Sequence, residues 1–106
     1  MTRDEETEAL AAVERARHDR GSLSVALSRL FVGLSGDVHA QAVRNRHLDL
    51  EHEDLMQAGY MGLVRATERF KAGAGFRFRT YAAWWIRSAM QREAQRRGRR
   101  VVRLPS

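Results

Sequence analysis

The sequence predicts an all-α fold, a compact bundle of about four to five helices. Apolar residues recur at helical spacing along most of the chain, and no alternation of strand period persists. The single proline, Pro105, lies beyond every predicted helix. With 106 residues, we expect one domain over residues 1–106, with enough buried surface for one modest core.

Two helices are predicted in the first third of the chain, over residues 4–19 and 23–34. Acidic residues near the start of the first helix complement the positive end of its dipole: Asp4, Glu5, Glu6 and Glu8. Gly21 is predicted to stop this helix, and Ser22 to cap the next one. The second helix is expected to bury Leu23, Leu27, Leu30, Phe31 and Leu34.

Three further helices complete the predicted bundle. After a break at residues 35–37, the third helix covers residues 37–46 and turns inward Val38, Ala42 and Val43. The fourth, over residues 51–70, has a core stripe of Leu55, Gly59, Leu63, Ala66 and Phe70. Gly59 and Gly62 are expected to let another helix come close. The last helix is predicted from residue 79 or 80 to residue 97, where Gly98 stops it.

Charge is distributed unevenly along the chain. Residues 1–70 hold nine arginines and no lysine against 12 acidic residues, a net of −3, whereas residues 71–106 hold ten basic residues against Glu93, a net of +9. We therefore expect the tail to bind a polyanion. The absence of cysteine excludes disulfides, thiolate metal sites and cysteine nucleophiles. The acidic N-terminus is unlike a signal peptide, and no apolar run approaches the roughly 18 residues of a membrane span, so we expect a soluble intracellular protein.

The segment FRFRTYAAWWIRSAMQR, residues 76–92, interleaves aromatic rings with arginines. On a helical wheel its inner side holds Ala82, Ile86, Ala89 and Met90, together with Glu93, and its outer side holds Tyr81, Trp84, Trp85, Ser88, Gln91, Arg92 and Gln95. Because adjacent helical residues point about 100° apart, at least one tryptophan should be partly exposed. Rings between guanidiniums suit single-stranded nucleic acid, where each stacked base contributes roughly 1–3 kcal/mol and arginines bind phosphates.

Polar residues extend this predicted interface on both sides. Arg77 and Arg79 separate Phe76 from Phe78 and Thr80 at the start of the segment. Gln91 and Gln95 can make bidentate contacts to a base edge. The tail QRRGRRVVR, with Arg99 and Arg100, is expected to continue the track of phosphate contacts.

Residues 54–105 resemble the second region of bacterial sigma-70-type transcription initiation factors. The resemblance is carried by three motifs in order and at family spacing: DL-x-Q-x-G, GL-x-x-A-x-x-x-F and G-x-x-F-x-T-YA-x-WWIR-x-A. It implies a transcription initiation factor without enzymatic activity or cofactor, cytoplasmic and associated with the nucleoid. It divides the domain into an N-terminal helix and turn (1–22), core and polymerase-docking helices (23–70) and a promoter-binding loop, helix and basic tail (71–106).

The resemblance also implies roles for individual residues. The helix that bears Asp54 and Gln57 is expected to dock on a coiled coil of the largest RNA polymerase subunit, through a surface of Asp54, Gln57, Ala58, Tyr60, Met61 and Val64. Phe76, Phe78, Thr80 and Tyr81 are expected to hold the melted non-template strand of the promoter −10 element, with Tyr81 stacked on a flipped adenine. Trp84 and Trp85 are expected to form the wedge at the upstream edge of the bubble, and Gln91 to face the last duplex base pairs.

The chain also departs from the family pattern. Ser88 stands where members often have glutamine, Ala58 where many have glutamate, and LSGDV replaces the usual Asn-Leu-Arg-Leu hinge, so upstream readout, polymerase affinity and the pocket for a second flipped base are expected to differ. Members continue beyond the RLPS motif into further DNA-reading domains. We therefore expect either an excised segment or a free-standing domain. Two-part sigma-like activators, including those of gene transfer agents, have such a domain and need a second DNA-binding protein.

Three other interpretations remain open at this point. An enzyme with a metal site could use His47 and His52, which lie near Glu51, Glu53 and Asp54. The two histidines fall in a predicted loop, however, and lack a further strong ligand. A helix-turn-helix protein could use Gly36 or KAGAG as its turn, but tryptophans are poorly suited to reading a major groove. Finally, the chain could be a regulator or decoy that docks on polymerase without melting DNA.

Overall fold

The computed structural model describes residues 1–71 and 73–100, with side chains as far as Gly98. Within those residues the chain forms five α-helices, one short 3₁₀ helix and no strand, which confirms the predicted all-α class. The elements are α1 (Arg3–Arg15), α2 (Arg20–Gly33), α3 (Ser35–Arg44), the 3₁₀ helix (Arg46–Leu48), α4 (His52–Arg69) and α5 (Phe78–Arg100).

The junction between α1 and α2 differs from the prediction. α1 starts with a capping box in which the Thr2 hydroxyl accepts from the Glu5 amide and the Glu5 carboxylate accepts from the Thr2 amide. It ends at Arg15 rather than near residue 19, because Asp19 already caps α2 by accepting from the Gly21 amide at 3.2 Å. Gly21 is therefore a first-turn residue of α2 and not a helix stop, and Ser22 is not the cap.

The break between α2 and α3 is also shorter than expected. A single residue, Leu34, leaves helical geometry, and its side chain is fully buried. α3 then runs from Ser35 to Arg44, so residues 35–37 continue a helix rather than interrupt one. Val43, predicted to point inward, is exposed, because Val38 and Ala42 already define the buried side of α3.

The core lies where all five helices meet, and its largest members include Leu30, Leu34, Leu55, Leu63, Phe78, Ile86 and Met90. The predicted stripe on α4 is confirmed for Leu55, Gly59, Leu63 and Ala66, which are buried, while Phe70 caps the end of α4 half-buried. On α5, Ala82, Ile86 and Met90 are buried as predicted, and Ala89 and Glu93 are half-buried.

α4 and α5 pack at unusually short range through the two α4 glycines. A Cβ built at Gly62 would lie 2.5 Å from the carbonyl oxygen of Trp85 and 2.9 Å from Cβ of Ala89. A Cβ at Gly59 would meet side-chain atoms of Met90 and Val38 at 2.8 Å. The expectation that these glycines admit another helix is thus confirmed. The prediction that Gly98 ends α5 is wrong, since a helical glycine costs only about 1 kcal/mol and α5 continues to Arg100.

Candidate nucleic-acid interface

A glycine-containing turn sets the start of the candidate site. Gly73 and Gly75 adopt φ values of 83° and 88°, a left-handed backbone that other residues rarely tolerate. The turn brings Phe76 back onto Phe70 at the end of α4, with ring centroids 6.1 Å apart. α5 begins two residues later, at Phe78. The loop therefore joins the end of α4 to the first turn of α5 through an aromatic contact.

Four aromatic side chains form a continuous surface along this edge, which we call the aromatic ladder: Phe76, Tyr81, Trp85 and Trp84. Ring centroids are 5.9 Å apart between Phe76 and Tyr81, 6.1 Å between Tyr81 and Trp85, and 5.3 Å between Trp85 and Trp84. Trp84 is 53% exposed and Phe76 47%, and the other two rings are half-buried. The expectation of at least one partly exposed tryptophan is confirmed.

Phe78 corrects the sequence interpretation. It was expected to offer its ring to the melted strand, but its side chain is 2% exposed and belongs to the core. The ring lies behind the ladder and packs edge-on against Phe70 with centroids 5.3 Å apart. Within the run of residues 76–79, Phe76 lies in the loop and Phe78 is the first residue of α5. The start of the helix therefore places Phe78 in the core while Phe76 stays exposed.

The two arginines of this run also lie differently from the prediction. They were expected to face phosphates, but each is ion-paired within the protein. Arg77 pairs with Glu6 of α1, and Arg79 forms a two-bond fork with Asp37 of α3 at 2.6 and 3.1 Å. The bonds to Asp37 raise the pKa of Arg79 above its already high ordinary value. Both guanidiniums therefore have carboxylate partners before any DNA arrives.

The remaining predicted DNA-facing residues lie farther along α5. Thr80, Gln91, Arg92 and Gln95 are exposed, and Ser88 is half-buried. Ser88 and Arg92 line a groove of about 230 Å³ between α5 and α4, together with Met61, Arg65 and Trp85. The side chains of Arg99 and Arg100 and the tail beyond them lie outside the described residues.

Charge along the outer part of α5 is partly neutralised by one acid. Glu93 accepts from Arg96 and Arg97, and these hydrogen bonds lower the pKa of Glu93 to about 2. Arg97 also donates to Asp54 of α4 at 3.0 Å. Arg92, by contrast, has no ion-pair partner among the described residues, so its charge is available to a ligand.

The residues predicted to dock on polymerase follow one side of α4. Gln57 and Met61 are exposed, while Asp54, Ala58, Tyr60 and Val64 are half-buried. Tyr60 packs against Phe31 of α2 with ring centroids 4.9 Å apart, so it faces the side of α4 that meets α2. Asp54 is tied to Arg97. The exposed part of this surface therefore centres on Gln57 and Met61.

The sequence interpretation missed the role of α1. Glu6 was taken with its neighbours as a complement to the helix dipole, yet it is buried with Ala9 and Val13 on the inner side of α1. The signal was present in the sequence, since Glu6 precedes Ala9 and Val13 by three and seven residues and so shares their face. Arg17, just after α1, donates to the carbonyl oxygen of Thr67 at 2.7 Å.

α1 contacts the rest of the domain at Glu6, which pairs with Arg77, and just beyond its end at Arg17, which bonds to Thr67. Here α1 and the α4–α5 loop border a cleft of about 760 Å³. Its lining is partly apolar, with Leu10 from α1 and Phe70 and Phe76 from the end of α4 and the loop, and it includes the paired Glu6 and Arg77. The cleft lies on the same loop as the first ring of the ladder. α1 therefore borders the candidate interface directly.

The alternative of a metal site finds no support in the described residues. His47 and His52 do not join a third ligand, and no group of three or more histidine, aspartate or glutamate side chains in residues 1–71 and 73–100 could hold a metal ion. His52 instead stacks edge-on with His39, with centroids 5.0 Å apart. None of the helices in the described part of the chain combines the length and apolar character needed to cross a membrane.

Comparisons with known proteins point in one direction. The family model for sigma-70 region 2 matches residues 30–100. The chain is 40% identical over 93 residues to the chloroplastic RNA polymerase sigma factor sigF of Arabidopsis thaliana, covering 88% of this chain and 16% of the relative. It is 46% identical over 68 residues to the RNA polymerase principal sigma factor HrdC of Streptomyces coelicolor, covering 64% of this chain and 20% of the relative.

A cyanobacterial relative agrees with these matches. The RNA polymerase sigma factor SigA2 of Synechococcus elongatus is 36% identical over 93 residues, which is 88% of this chain and 27% of the relative. The chain thus spans between 16% and 27% of the length of these three proteins. The family match begins at residue 30, so α1 and the first part of α2 lie outside it.

Proposed function

The chain belongs to the sigma-70 family, of which it carries region 2, and on this basis we propose that it binds RNA polymerase core and captures unpaired bases of the promoter −10 element. The observation that carries the proposal is the aromatic ladder. Its rings follow one another at 5.3–6.1 Å, and its two ends, Phe76 and Trp84, are exposed. A continuous row of rings with both ends exposed and the middle half-buried suits unpaired bases, which present a π-face whatever their sequence.

Within this proposal the ladder residues divide the work. Tyr81, at the first turn of α5, stacks on a flipped adenine of the non-template strand, with Phe76 and Thr80 beside it. Trp84 and Trp85 stand edge to face and form the wedge against the last base pair of the duplex. Gln91, Arg92 and Gln95 follow on α5 toward that duplex, and α5 continues to Arg99 and Arg100. Ser88 lines the groove between α5 and α4.

Promoter opening costs more free energy than this domain alone can supply, so it requires a partner. Opening roughly ten base pairs costs on the order of 14 kcal/mol at about 1.4 kcal/mol per stacking step. Two captured bases return about 2–6 kcal/mol. The difference has to come from polymerase and from further DNA-binding domains, whether on the same polypeptide or on a second regulatory protein. The isolated domain is therefore expected to bind single strands weakly.

Polymerase is proposed to bind the side of α4 that carries Gln57 and Met61, with Asp54, Ala58, Tyr60 and Val64 around them. This surface combines an exposed amide with an exposed thioether on a single rigid helix. A helix surface of this kind suits packing against another helix, such as one strand of a coiled coil. The docking surface and the ladder belong to different helices, so separate variants can test them.

Binding of a fluorescent single-stranded −10 oligonucleotide, its scrambled version and its duplex tests the proposal by anisotropy. The unmodified chain should prefer the −10 single strand. Trp84→Ala and Tyr81→Ala should each weaken binding roughly 5- to 150-fold, the equivalent of about 1–3 kcal/mol for one stacked base. Val32→Ala, an exposed apolar residue of α2, serves as the matched control and should change nothing.

A pull-down on polymerase core separates the second activity. Gln57→Ala and Met61→Ala should reduce capture of the core without altering strand binding, whereas Trp84→Ala should leave capture intact. Tight binding of the duplex by the free chain would contradict capture of unpaired bases. Capture of core without any strand preference would instead identify a docking regulator that does not melt DNA.

A further inference from the structure

Two carboxylates hold the segment that precedes and starts α5. We infer that Glu6 of α1 and Asp37 of α3 are positioning residues for the aromatic ladder, and that Arg77 and Arg79 are their anchors rather than ligands of DNA phosphates. The inference rests on the proposed function, because it concerns the surface proposed to stack bases. It assigns a role to α1, which lies outside the residues matched by the family model.

Glu6 is the more buried of the two carboxylates. Its side chain is 3% exposed, and a buried charge is costly unless it is paired and hydrogen-bonded. Its Oε2 accepts from Nη2 of Arg77, which also donates to the carbonyl oxygen of Met1 at 3.1 Å. Its Oε1 accepts from the backbone amide of Arg79 at 3.4 Å. One side chain of α1 thus contacts two consecutive points at the start of α5.

These contacts supply a helix cap that the local sequence lacks. Arg77 precedes α5, and its carbonyl oxygen accepts from the amides of Thr80 and Tyr81 at 3.1 and 3.2 Å. An arginine side chain has no acceptor, so it cannot satisfy a first-turn amide as serine or aspartate does. The Glu6 carboxylate reaches the Arg79 amide from another helix and takes that place. The first turn, which carries Tyr81, is therefore held from α1.

Asp37 of α3 holds the same first turn of α5 through the side chain of Arg79. Its Oδ1 accepts from Nη2 of Arg79 at 2.6 Å and its Oδ2 from Nε at 3.1 Å. Such two-bond pairs fix the orientation of both groups as well as their distance. α1 and α3 therefore bind Arg77 and Arg79, the residues on either side of Phe78, whose ring is in the core. Phe76 and Tyr81, at the two ends of this segment, gain a fixed spacing.

The pairing also argues against phosphate contacts by these arginines. Moving Arg77 to a phosphate would leave Glu6 buried without its cation, which is strongly unfavourable. The fork on Arg79 already uses two donors of its guanidinium. Arg92 provides the contrast, because it is exposed and unpaired among the described residues. Counterion release on binding should therefore come from residues such as Arg92.

The salt dependence of binding to the −10 single strand distinguishes an anchor from a phosphate ligand. For a single strand, each phosphate neutralised adds about 0.7 to the slope of log Kobs against log salt. Arg92→Gln should reduce the slope by about 0.7 and weaken matched and scrambled strands alike. Arg79→Gln should leave the slope unchanged but reduce the preference for the matched strand roughly five- to tenfold. A fall of about 0.7 in the slope of Arg79→Gln would overturn the anchor role.

Variants of the two carboxylates test the positioning role separately, because their change in charge by itself favours binding to DNA. Glu6→Gln and Asp37→Asn each remove a negative charge, so general electrostatics alone would tighten binding to DNA. We expect instead the same five- to tenfold loss of preference for the matched strand. Tighter binding with the preference intact would overturn the proposal. Glu8→Gln is the matched control, since Glu8 is on α1 and pairs with Arg29 at 3.3 Å but is 68% exposed.

Amide hydrogen exchange gives a readout that does not depend on DNA. The amides of Arg79, Thr80 and Tyr81 should exchange faster in Glu6→Gln than in Glu8→Gln, with the amides of α4 unchanged. Equal exchange in both variants would overturn the capping role of Glu6. If Glu6→Gln fails to fold, Asp37→Asn and Arg79→Gln carry the binding test, because both residues of that pair are partly exposed. Absence of any strand preference in the unmodified chain would count against the proposed function, and exchange would still decide the capping role.

Discussion

A methyl group at Gly62 should separate the two helices that carry the proposed surfaces. Its Cβ would lie 2.5 Å from the backbone oxygen of Trp85, and a backbone atom in the middle of α5 cannot swing away as a side chain can. The contact must lengthen by about 1 Å to reach the ordinary range of ~3.5 Å. Overpacking of this kind costs about 1–3 kcal/mol, and the better helix propensity of alanine returns about 1 kcal/mol. We expect Gly62→Ala to lower the free energy of unfolding by up to about 2 kcal/mol.

Urea unfolding followed by circular dichroism at 222 nm measures this change against two matched glycines. Gly36→Ala in α3 meets nothing within 4 Å and should stabilise the domain by about 0.5–1 kcal/mol. Gly59→Ala should fall between, because the atoms it meets at 2.8 Å belong to the side chains of Met90 and Val38, which can move. The reasoning is refuted if Gly62→Ala is as stable as Gly36→Ala.

Two further changes test the core and the charge network. Phe78→Ala should cost about 3–5 kcal/mol in urea unfolding, as expected for a buried phenylalanine, whereas Phe76→Ala should cost less than about 1.5 kcal/mol; similar costs for the two would contradict their assignment to core and surface. Because Glu93 has its pKa lowered to about 2 from 4.5, its contribution to stability is present above about pH 4.5 and is lost as pH falls through about 2. The pairs are partly solvated, so we expect less than about 1 kcal/mol, measured as a flatter stability profile between pH 4.5 and 2 in Glu93→Gln; an unchanged profile would show that the pairs contribute nothing.

The sequence predicted those parts of the fold that depend on periodic burial. Leu55, Gly59, Leu63 and Ala66 share one side of α4 because their spacing places them there whatever the neighbouring helices do. The helix ends were predicted less well, because caps compete locally. Asp19, and not Ser22, is the N-cap of α2. Gly98 remains within α5, because a glycine can adopt helical geometry as well as the left-handed geometry of a helix stop.

The candidate site divides in the same way. The exposure of Trp84 follows from the wheel of α5 alone, since Ala82 and Ile86 occupy its buried side. The pairing of Arg77 and Arg79 could not be read from the segment, because their partners, Glu6 on α1 and Asp37 on α3, lie 71 and 42 positions away. The burial of Phe78 depends on how the start of α5 packs, including its contact with Phe70 at the end of α4.

The distance between the two proposed surfaces is fixed by backbone rather than by side chains. α4 carries the proposed docking surface and α5 carries three of the four ladder residues, and at Gly62 the two helices approach so closely that no methyl group fits between them. Close-packed interiors deform little, so a displacement of α4 by a bound polymerase helix has to move α5 with it. The ion pair between Asp54 and Arg97 adds a second link, nearer the C-terminal end of α5. We therefore expect Gly62→Ala to reduce both capture of polymerase core and preference for the −10 strand, whereas Gln57→Ala reduces capture alone and Trp84→Ala strand binding alone.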